Sequence, residues 1–316
     1  MRKIAFVGVG SIAVRHIKNL AEIFIQRNEK FQIDVFRHIK REIEDTSAKV
    51  FVSNVYSEDE LYDKQYDIIF ITNPTALHFE TIKKCVSYSK HMFIEKPVFD
   101  NCGEDINNLN LQESSVYYVA CPLRYTAVLQ YIIENMDMNE VYSARAISTS
   151  YLPDWRPGTD YRNTYSAHKN LGGGVAVDLI HEWDYLTELF GMPRHVYYSG
   201  GKFSHLEIDS DDLAVYIGVY DKLLVELHLD YFGRSVERKL TLYMRDEVIE
   251  ADIENSRITY LVSGKIIHLP EDRDEYQKRE LLHFLDIVDG KCSNDNSVKH
   301  ALDVLKIAKN YTMEVE

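Results

Sequence analysis

No stretch of this sequence approaches the ~20 consecutive apolar residues that a membrane helix needs. Internal repeats and low-complexity runs are also missing, which excludes solenoids and long disordered tails. Basic residues are outnumbered, 36 Lys and Arg against 50 Asp and Glu. The resulting net charge of −14 argues against nucleic acid or an anionic membrane surface as a partner. Cysteine is scarce: Cys85, Cys102, Cys121 and Cys292 stand far apart, with neither CxxC nor zinc-like spacing. Reduced thiols and no metal site are expected. The opening MRKIAFVGVGSIAVRH imitates a signal peptide for a few residues. Its apolar run is short and broken by glycine, so a cytoplasmic location is expected. What remains is ordinary globular composition over 316 residues, 45% hydrophobic and 27% charged, enough for two domains with two cores.

The first 120 residues alternate strand and helix patterns. KIAFVGVG is a continuous apolar strand that ends in glycine, and SIAVRHIKNLAEIFIQR has helical spacing at Ile12, His16, Leu20 and Ile23. QIDVFRH, VFVSNVY, DIIFITNP, HMFIEKP and VYYVACPLRY continue as strands, with ALHFETIKKCVSYSK helical between two of them. Repeated βα units predict a doubly wound parallel sheet with right-handed crossovers.

Gly8, Gly10 and Ala13 form GxGxxA between the first strand and the first helix. The first glycine permits the turn, the second lets backbone approach a pyrophosphate, and Ala13 allows close helix packing. The helix N-terminus adds free N–H groups and a positive dipole. A dinucleotide is therefore expected across Gly8, Gly10, Ser11 and Ile12. At the end of the second strand an acid would bind the 2′-OH of NAD, whereas an arginine accommodates the 2′-phosphate of NADP. Arg37 stands there, with Lys40 and Arg41 following, while Asp34 lies within the strand. NADP is favoured over NAD, although a solvated basic turn would look the same.

GVGSIA, ITNPTALH and IEKP, each after a strand, together with LGGGVAVDLIHEWDYL further on, resemble the glucose–fructose oxidoreductase, inositol dehydrogenase and rhizopine-catabolism (Gfo/Idh/MocA) family over nearly the whole chain. The motifs are specific for that family and nearly silent on substrate. Strand carboxyl ends line the ligand crevice of such a sheet, which puts Thr72, Asn73 and Pro74 along the dinucleotide. His78 either contacts the cofactor or caps the next helix. Lys96 reaches the nicotinamide end, where oxidation of a carbinol needs the hydroxyl proton taken as hydride leaves. Pro97 holds the Lys96 backbone extended, and Glu95 orients Lys96 or a ribose.

A domain boundary is expected near Pro122, giving a Rossmann domain over 1–122 and an α+β domain over 123–316. In the resembling family an arginine near Arg124 faces the active site; pairing with an acid is the alternative. VYSARAISTSYL, DDLAVYIGVY, LLVELHLDYF, RKLTLYMRD, EVIEADIE and RITYLVSG predict a large, mainly antiparallel open sheet. Its tyrosines and valines, and the resemblance, imply a homodimer or homotetramer through that sheet. Between its first strand and the rest lies the most informative segment. There Gly172–Gly174 would start a helix with Leu179, Trp183, Leu186 and Phe190 as its buried stripe. Asp178, His181 and Tyr185 would share another face, suited to proton transfer. The family places its histidine four residues after the aspartate; here the gap is three, and His181 carries over better than Asp178 because, followed by Asp184, it fits the family's HxxD end. Glu182 and Asp184 are expected to be solvated or capping. Trp155, Arg156, Tyr161 and Arg162 precede the glycines; aromatics with arginines suit an anionic sugar such as a nucleotide sugar, and a loop pinned by internal salt bridges would read equally.

The combined expectation is an NAD(P)-dependent dehydrogenase of an acidic or nucleotide sugar, with Lys96, His181 and Asp178 catalytic. A non-catalytic dinucleotide-binding regulator, or a reductase of a non-sugar substrate, would use the same fold.

Overall fold

A computed structural model describes residues 1–39 and 43–310. Lys40 and Arg41, part of the expected basic cluster, lie outside the described residues. The chain divides into two compact units, residues 1–120 with 273–302, and 121–272 with 303 onward.

In the first unit six strands form one parallel sheet in the order β3-β2-β1-β4-β5-β6. They are β1 (Arg2–Val7), β2 (Phe31–Arg37), β3 (Val52–Ser57), β4 (Tyr66–Ile71), β5 (Ser89–Ile94) and β6 (Tyr117–Val119). The apolar runs of β1 and β4 are buried on both faces, as a sheet flanked by helices requires. Helices α1 (Ser11–Gln26), α2 (Thr46–Lys49) and α3 (His78–Cys85) belong to the crossovers. Chain order reverses between β1 and β4, so the carboxyl ends of these two strands flank the switch point where such sheets bind ligands.

The second unit starts with α4 (Ala127–Asn135) and carries an eight-stranded sheet ordered β14-β13-β12-β11-β7-β10-β9-β8. Its strands are β7 (Val141–Tyr151), β8 (His195–Gly201), β9 (Leu213–Val219), β10 (Leu224–Asp230), β11 (Phe232–Met244), β12 (Val248–Asp252), β13 (Arg257–Tyr260) and β14 (Ile266–His268). All pairs are antiparallel except β7 with β10. The expected sheet is present, but β8, β14 and the parallel pair were not foreseen. Before β8 come two short helices, α5 (Val175–Asp178) and α6 (His181–Phe190), where one continuous helix was expected. The turn at Leu179 (φ −98°, ψ 25°) separates them.

The C-terminal helices correct the expected second domain. Helix α7 (Arg273–Val288) belongs to the first unit, and the division falls within α8 (Val298–Ala308). Phe284 of α7 is fully buried among Phe70, Phe93 and Tyr118, with ring centroids 5.3 to 6.1 Å away. The helix is thus a structural part of the Rossmann unit. Phe284→Ala is expected to cost about 3–5 kcal/mol of stability by opening a cavity there, read as a lowered denaturant midpoint; a wild-type midpoint would place α7 outside that core.

Candidate active site

The glycine turn follows from β1 and β4 meeting at the switch point. Gly8 has φ +86°, and a Cβ on it would lie 2.5–2.7 Å from the Asn73 backbone and Cβ. Only glycine tolerates both the left-handed φ and that approach. The Thr72 hydroxyl reinforces the turn by donating to the Gly8 and Val7 carbonyls at 2.7 and 3.2 Å. Thr72 is buried, so it shapes the turn from behind rather than lying along a dinucleotide.

Gly10 then caps α1 with no side-chain hydrogen bond to the helix amides and no acid in the first turn. Nothing lies within 4 Å of where its Cβ would be. Uncapped N–H groups, a positive helix end and open space beside a glycine fit a pyrophosphate. Ser11 opens the helix exposed, and Ile12 is half-buried. Arg37 ends β2 and, with Gly10, Ser11, Arg15, Lys18 and Asp45, lines a hollow of about 440 Å³. Asp34 cannot serve the ribose: it is buried mid-strand and accepts from Tyr66 Oη, Asn54 Nδ2 and Gln32 Nε2 at 2.8–3.2 Å.

Beyond β4, Asn73 donates Nδ2–H to Thr81 Oγ1 at 2.7 Å, while its Oδ1 is buried with no protein donor among the described residues. That acceptor also fits a bound cofactor. Pro74 turns the chain into a short 3-10 segment, Thr75–Leu77. The expected cofactor contact of His78 is not what the structure shows. This side chain is buried, with Nε2 3.0 Å from the Asn73 carbonyl and Nδ1 3.1 and 3.2 Å from those of Pro97 and Val98. Burial holds its pKa below the ordinary value. It ties the loop after β4 to the loop after β5.

That second loop carries Glu95, Lys96 and Pro97, with the Lys96–Pro97 peptide cis. Glu95 has a partner the sequence reading missed: His16 of α1, almost fully buried, places Nε2 2.5 Å from Glu95 Oε1. The carboxylate accepts only, so Nε2 carries the proton. Burial pushes the Glu95 carboxyl up, but the His16 hydrogen bond and the charges of His16, Lys96 and His78 outweigh it and hold it below 4.5. Oε2 lies 3.3 Å from the Lys96 amide, so Glu95 anchors the Lys96 backbone between helix and strand. Lys96 itself is half-buried.

In the second unit the structure corrects several expectations. Arg124 does not face substrate; it is buried in a fork on Asp184 (Nε 2.7 Å, Nη2 2.9 Å) and reaches Glu188 at 2.6 Å. Asp184 is therefore neither solvated nor a cap. Glu182 is fully buried too, 2.7 Å from Arg238 Nε. Tyr185, expected beside substrate, is only 1% exposed. Burial and the neighbouring Glu182 charge push its hydroxyl pKa far up. The expected polar face fails because α6 is buried on both sides.

Asp178 is buried and accepts from Tyr231 Oη at 2.5 Å, a structural bond. His181, at the start of α6 and partly exposed, has Nε2 3.2 Å from Arg238 Nη2 and 3.7 Å from Glu182 Oε1. The glycine run leads into α5 as expected, with Gly174 as its N-cap, and Gly173 packs closely on neighbouring backbone: a Cβ there would lie 2.1 Å from the Tyr165 carbonyl oxygen. Trp155, Arg156 and Tyr161 do meet, lining a recess of about 10 Å³, room for one water. The Trp155 indole donates to Ser150 Oγ at 2.9 Å, and Arg156 lies over the Tyr165 ring. Arg162 is pinned by Asp160 and Glu207.

Residues 2–115 match the family described as an oxidoreductase family with an NAD-binding Rossmann fold. The uncharacterized oxidoreductase YrbE of Bacillus subtilis is 26% identical over 219 residues, 66% of this chain and 61% of the relative's own length. Levoglucosan dehydrogenase, solved with NADH and levoglucosan, has a TM-score of 0.82 at 15% identity, covering 98% of this chain and 95% of that one. The WlbA dehydrogenase of Bordetella pertussis, solved with NADH and UDP-GlcNAcA, has a TM-score of 0.77 at 15% identity, covering 100% and 99%.

Because the folded Glu95 pKa lies below its unfolded value, its stabilisation is full above about pH 4.5 and is lost as pH falls through the folded pKa. Glu95→Gln is expected to lose about 1–3 kcal/mol at neutral pH and progressively less in acid. Denaturant titrations from pH 3 to 7 check this; a pH-independent difference would mean that the carboxylate charge is not the source.

Proposed function

We propose that this chain, whose residues 2–115 match the oxidoreductase family with an NAD-binding Rossmann fold, is a Gfo/Idh/MocA-type NAD(P)-dependent dehydrogenase of a sugar carbinol, the substrate being an acidic or nucleotide sugar. The observation that carries the reading is Lys96 at the carboxyl end of β5, held by Glu95 and His16 in the unit that also holds the uncapped glycine turn. The cofactor supplies or accepts the hydride. Gly8 and Gly10 set the backbone for its pyrophosphate, and Asn73 offers an acceptor beside the same turn. The Lys96 amine takes the hydroxyl proton as the carbonyl forms, or returns it in reduction, and donates a hydrogen bond to that oxygen. His181 is the second residue assigned to the reaction, as a hydrogen-bonding imidazole. Asp178, held by Tyr231, positions α5 instead of exchanging a proton.

NADP is the preferred cofactor in this reading. Arg37, Arg15 and Lys18 line the hollow beside the β2 terminus, outnumbering its acids Glu44 and Asp45, and Asp34 is occupied by three side chains. The anionic-sugar assignment is supported by the exposed Arg156 and by the UDP-GlcNAcA in the WlbA structure.

Nicotinamide absorbance with nucleotide sugars, acidic sugars and polyols, each with NAD and NADP, tests the reading. Turnover is expected for one class, faster with NADP. Lys96→Met is expected to lower kcat by roughly 10²-fold or more while cofactor affinity, by fluorescence titration, holds. Loss of cofactor binding with activity would sink that division of labour.

We further propose self-association through the open face of the eight-stranded sheet, where Tyr142, Tyr197, Ile217, Leu224 and Tyr243 are 40–61% exposed. Aromatic and aliphatic side chains gathered on one face suit a two-fold contact. Light scattering is expected to give two or four protomers, reduced to one by Tyr197→Asp with Ile217→Asp. A wild-type mass of 36.8 kDa would refute the assembly.

A further inference from the structure

We propose that Arg238 is the positioning residue of His181, fixing its imidazole as the tautomer with the proton on Nδ1 and the lone pair on Nε2. The inference deepens the dehydrogenase reading and rests on it for the catalytic role of His181.

A guanidinium has five donors and no acceptor. Arg238 Nη2 lies 3.2 Å from His181 Nε2, so this contact is a hydrogen bond only if Nε2 is bare. A proton on Nε2 would bring N–H against N–H beside a fixed positive charge. The arginine is not free to swing away. Its Nε donates to Glu182 Oε1 at 2.7 Å, and Glu182 is fully buried. Nη2 also lies 3.5 Å from Ser148 Oγ, on β7, the strand paired with β11 at this register. Glu182 follows His181 in α6, so acid, arginine and imidazole form one short chain anchored on a helix and two strands. A lysine there would offer a point charge but no second donor in the same plane.

The consequence is a division of roles. Nε2 is committed to Arg238, and the neutral ring's one N–H is at Nδ1. In the proposed reaction His181 therefore carries its N–H at Nδ1, and Nε2 cannot take up a proton without breaking the Arg238 contact.

Long-range ¹H–¹⁵N NMR of the histidine side chains in the full chain without substrate reads the tautomer directly, with His181→Gln identifying the resonance. The expected spectrum at neutral pH has Nδ1 protonated and Nε2 bare. A proton on Nε2, or on both nitrogens, would overturn the proposal. Arg238→Met is expected to shift the ring toward the Nε2–H form; since it strands Glu182, the pair Glu182→Leu with Arg238→Met is measured beside it. An unchanged tautomer in both would also overturn it. Once a substrate is known, kcat is expected to fall roughly tenfold in the variants, with KM little changed, and Arg238→Lys to restore it only in part. Wild-type kcat despite a switched tautomer would refute the catalytic consequence. Absence of turnover with every sugar, the NMR being as expected, would instead count against the dehydrogenase reading and leave the tautomer assignment standing.

Discussion

The first unit depends on one backbone contact, that of Gly8 against Asn73. No side chain fits at Gly8, so the chain leaving β1 passes directly over the chain leaving β4. The direction of α1 is then determined, and so is the open space at Gly10. Neighbouring groups hold the contact in place. Thr72 donates its hydroxyl into the turn, and His78 reaches from the Asn73 carbonyl to those of Pro97 and Val98. His16, one turn into α1, grips Glu95 from the other side. A shift of the glycine turn would therefore be felt at Lys96 through two short routes, one across His78 and one across His16 and Glu95. Under the proposed reaction Lys96 moves a proton, and preorganisation of this kind is what such a group requires, since small misplacements cost rate steeply.

The second unit is organised by buried charge. Arg124 with Asp184, Arg238 with Glu182, and Tyr231 with Asp178 hold α5 and α6 against the sheet and the segment after Cys121. Pairs like these add little stability compared with apolar side chains of the same volume, but breaking one leaves an uncompensated charge in the core. Their effect is to make one placement of α6 far better than its neighbours. A helix buried on both sides by apolar residues alone could slide or rotate; one bearing two acids with fixed arginine partners cannot. His181 inherits its position from that arrangement.

How much could be read in advance followed the range of the interaction. The parallel sheet and the glycine turn are written locally, in apolar runs and in glycines a few residues apart, and both stand where expected. Helix α7 looked amphipathic, but membership of a unit depends on Phe284 reaching Phe70 and Phe93, about two hundred residues away. Strand β8 ends in two glycines, which read as loop. The break at Leu179 is invisible because residues 175–180 are all buried, so no polar face shows where the helical phase resets. Asp178, Glu182 and Asp184 look alike in one dimension; only their partners Tyr231, Arg238 and Arg124 tell them apart. A functional carboxylate and a paired structural one share composition and spacing, which explains why this helix misled. His16 gave one signal, a histidine among the buried positions of α1, where an unpartnered imidazole is costly.

The same logic bears on why family motifs say so little about substrate. Everything that holds Lys96 belongs to sheet and helix ends whose geometry leaves little choice of residue. The segment from Leu152 to Leu171, by contrast, is a series of short 3-10 turns secured one at a time. Asp160 accepts from the Arg162 amide, the Thr164 hydroxyl donates to the Tyr161 carbonyl, and Asp209 accepts from the Lys169 amide. Gly173 packs on the backbone of Tyr165 to His168, keeping the stretch close to α5. Such a loop is joined to the sheet mainly at its start, where the Leu152 amide donates to the Tyr231 carbonyl and the Trp155 indole to Ser150 Oγ, and is held elsewhere by short turns and by the segment around Asp209. Exposed members such as Arg156 can therefore be exchanged without disturbing either the sheet or the buried charge pairs. Under the proposed function, a scaffold that holds Lys96 in the sheet while leaving an exposed loop free to vary would keep one reaction and change its substrate.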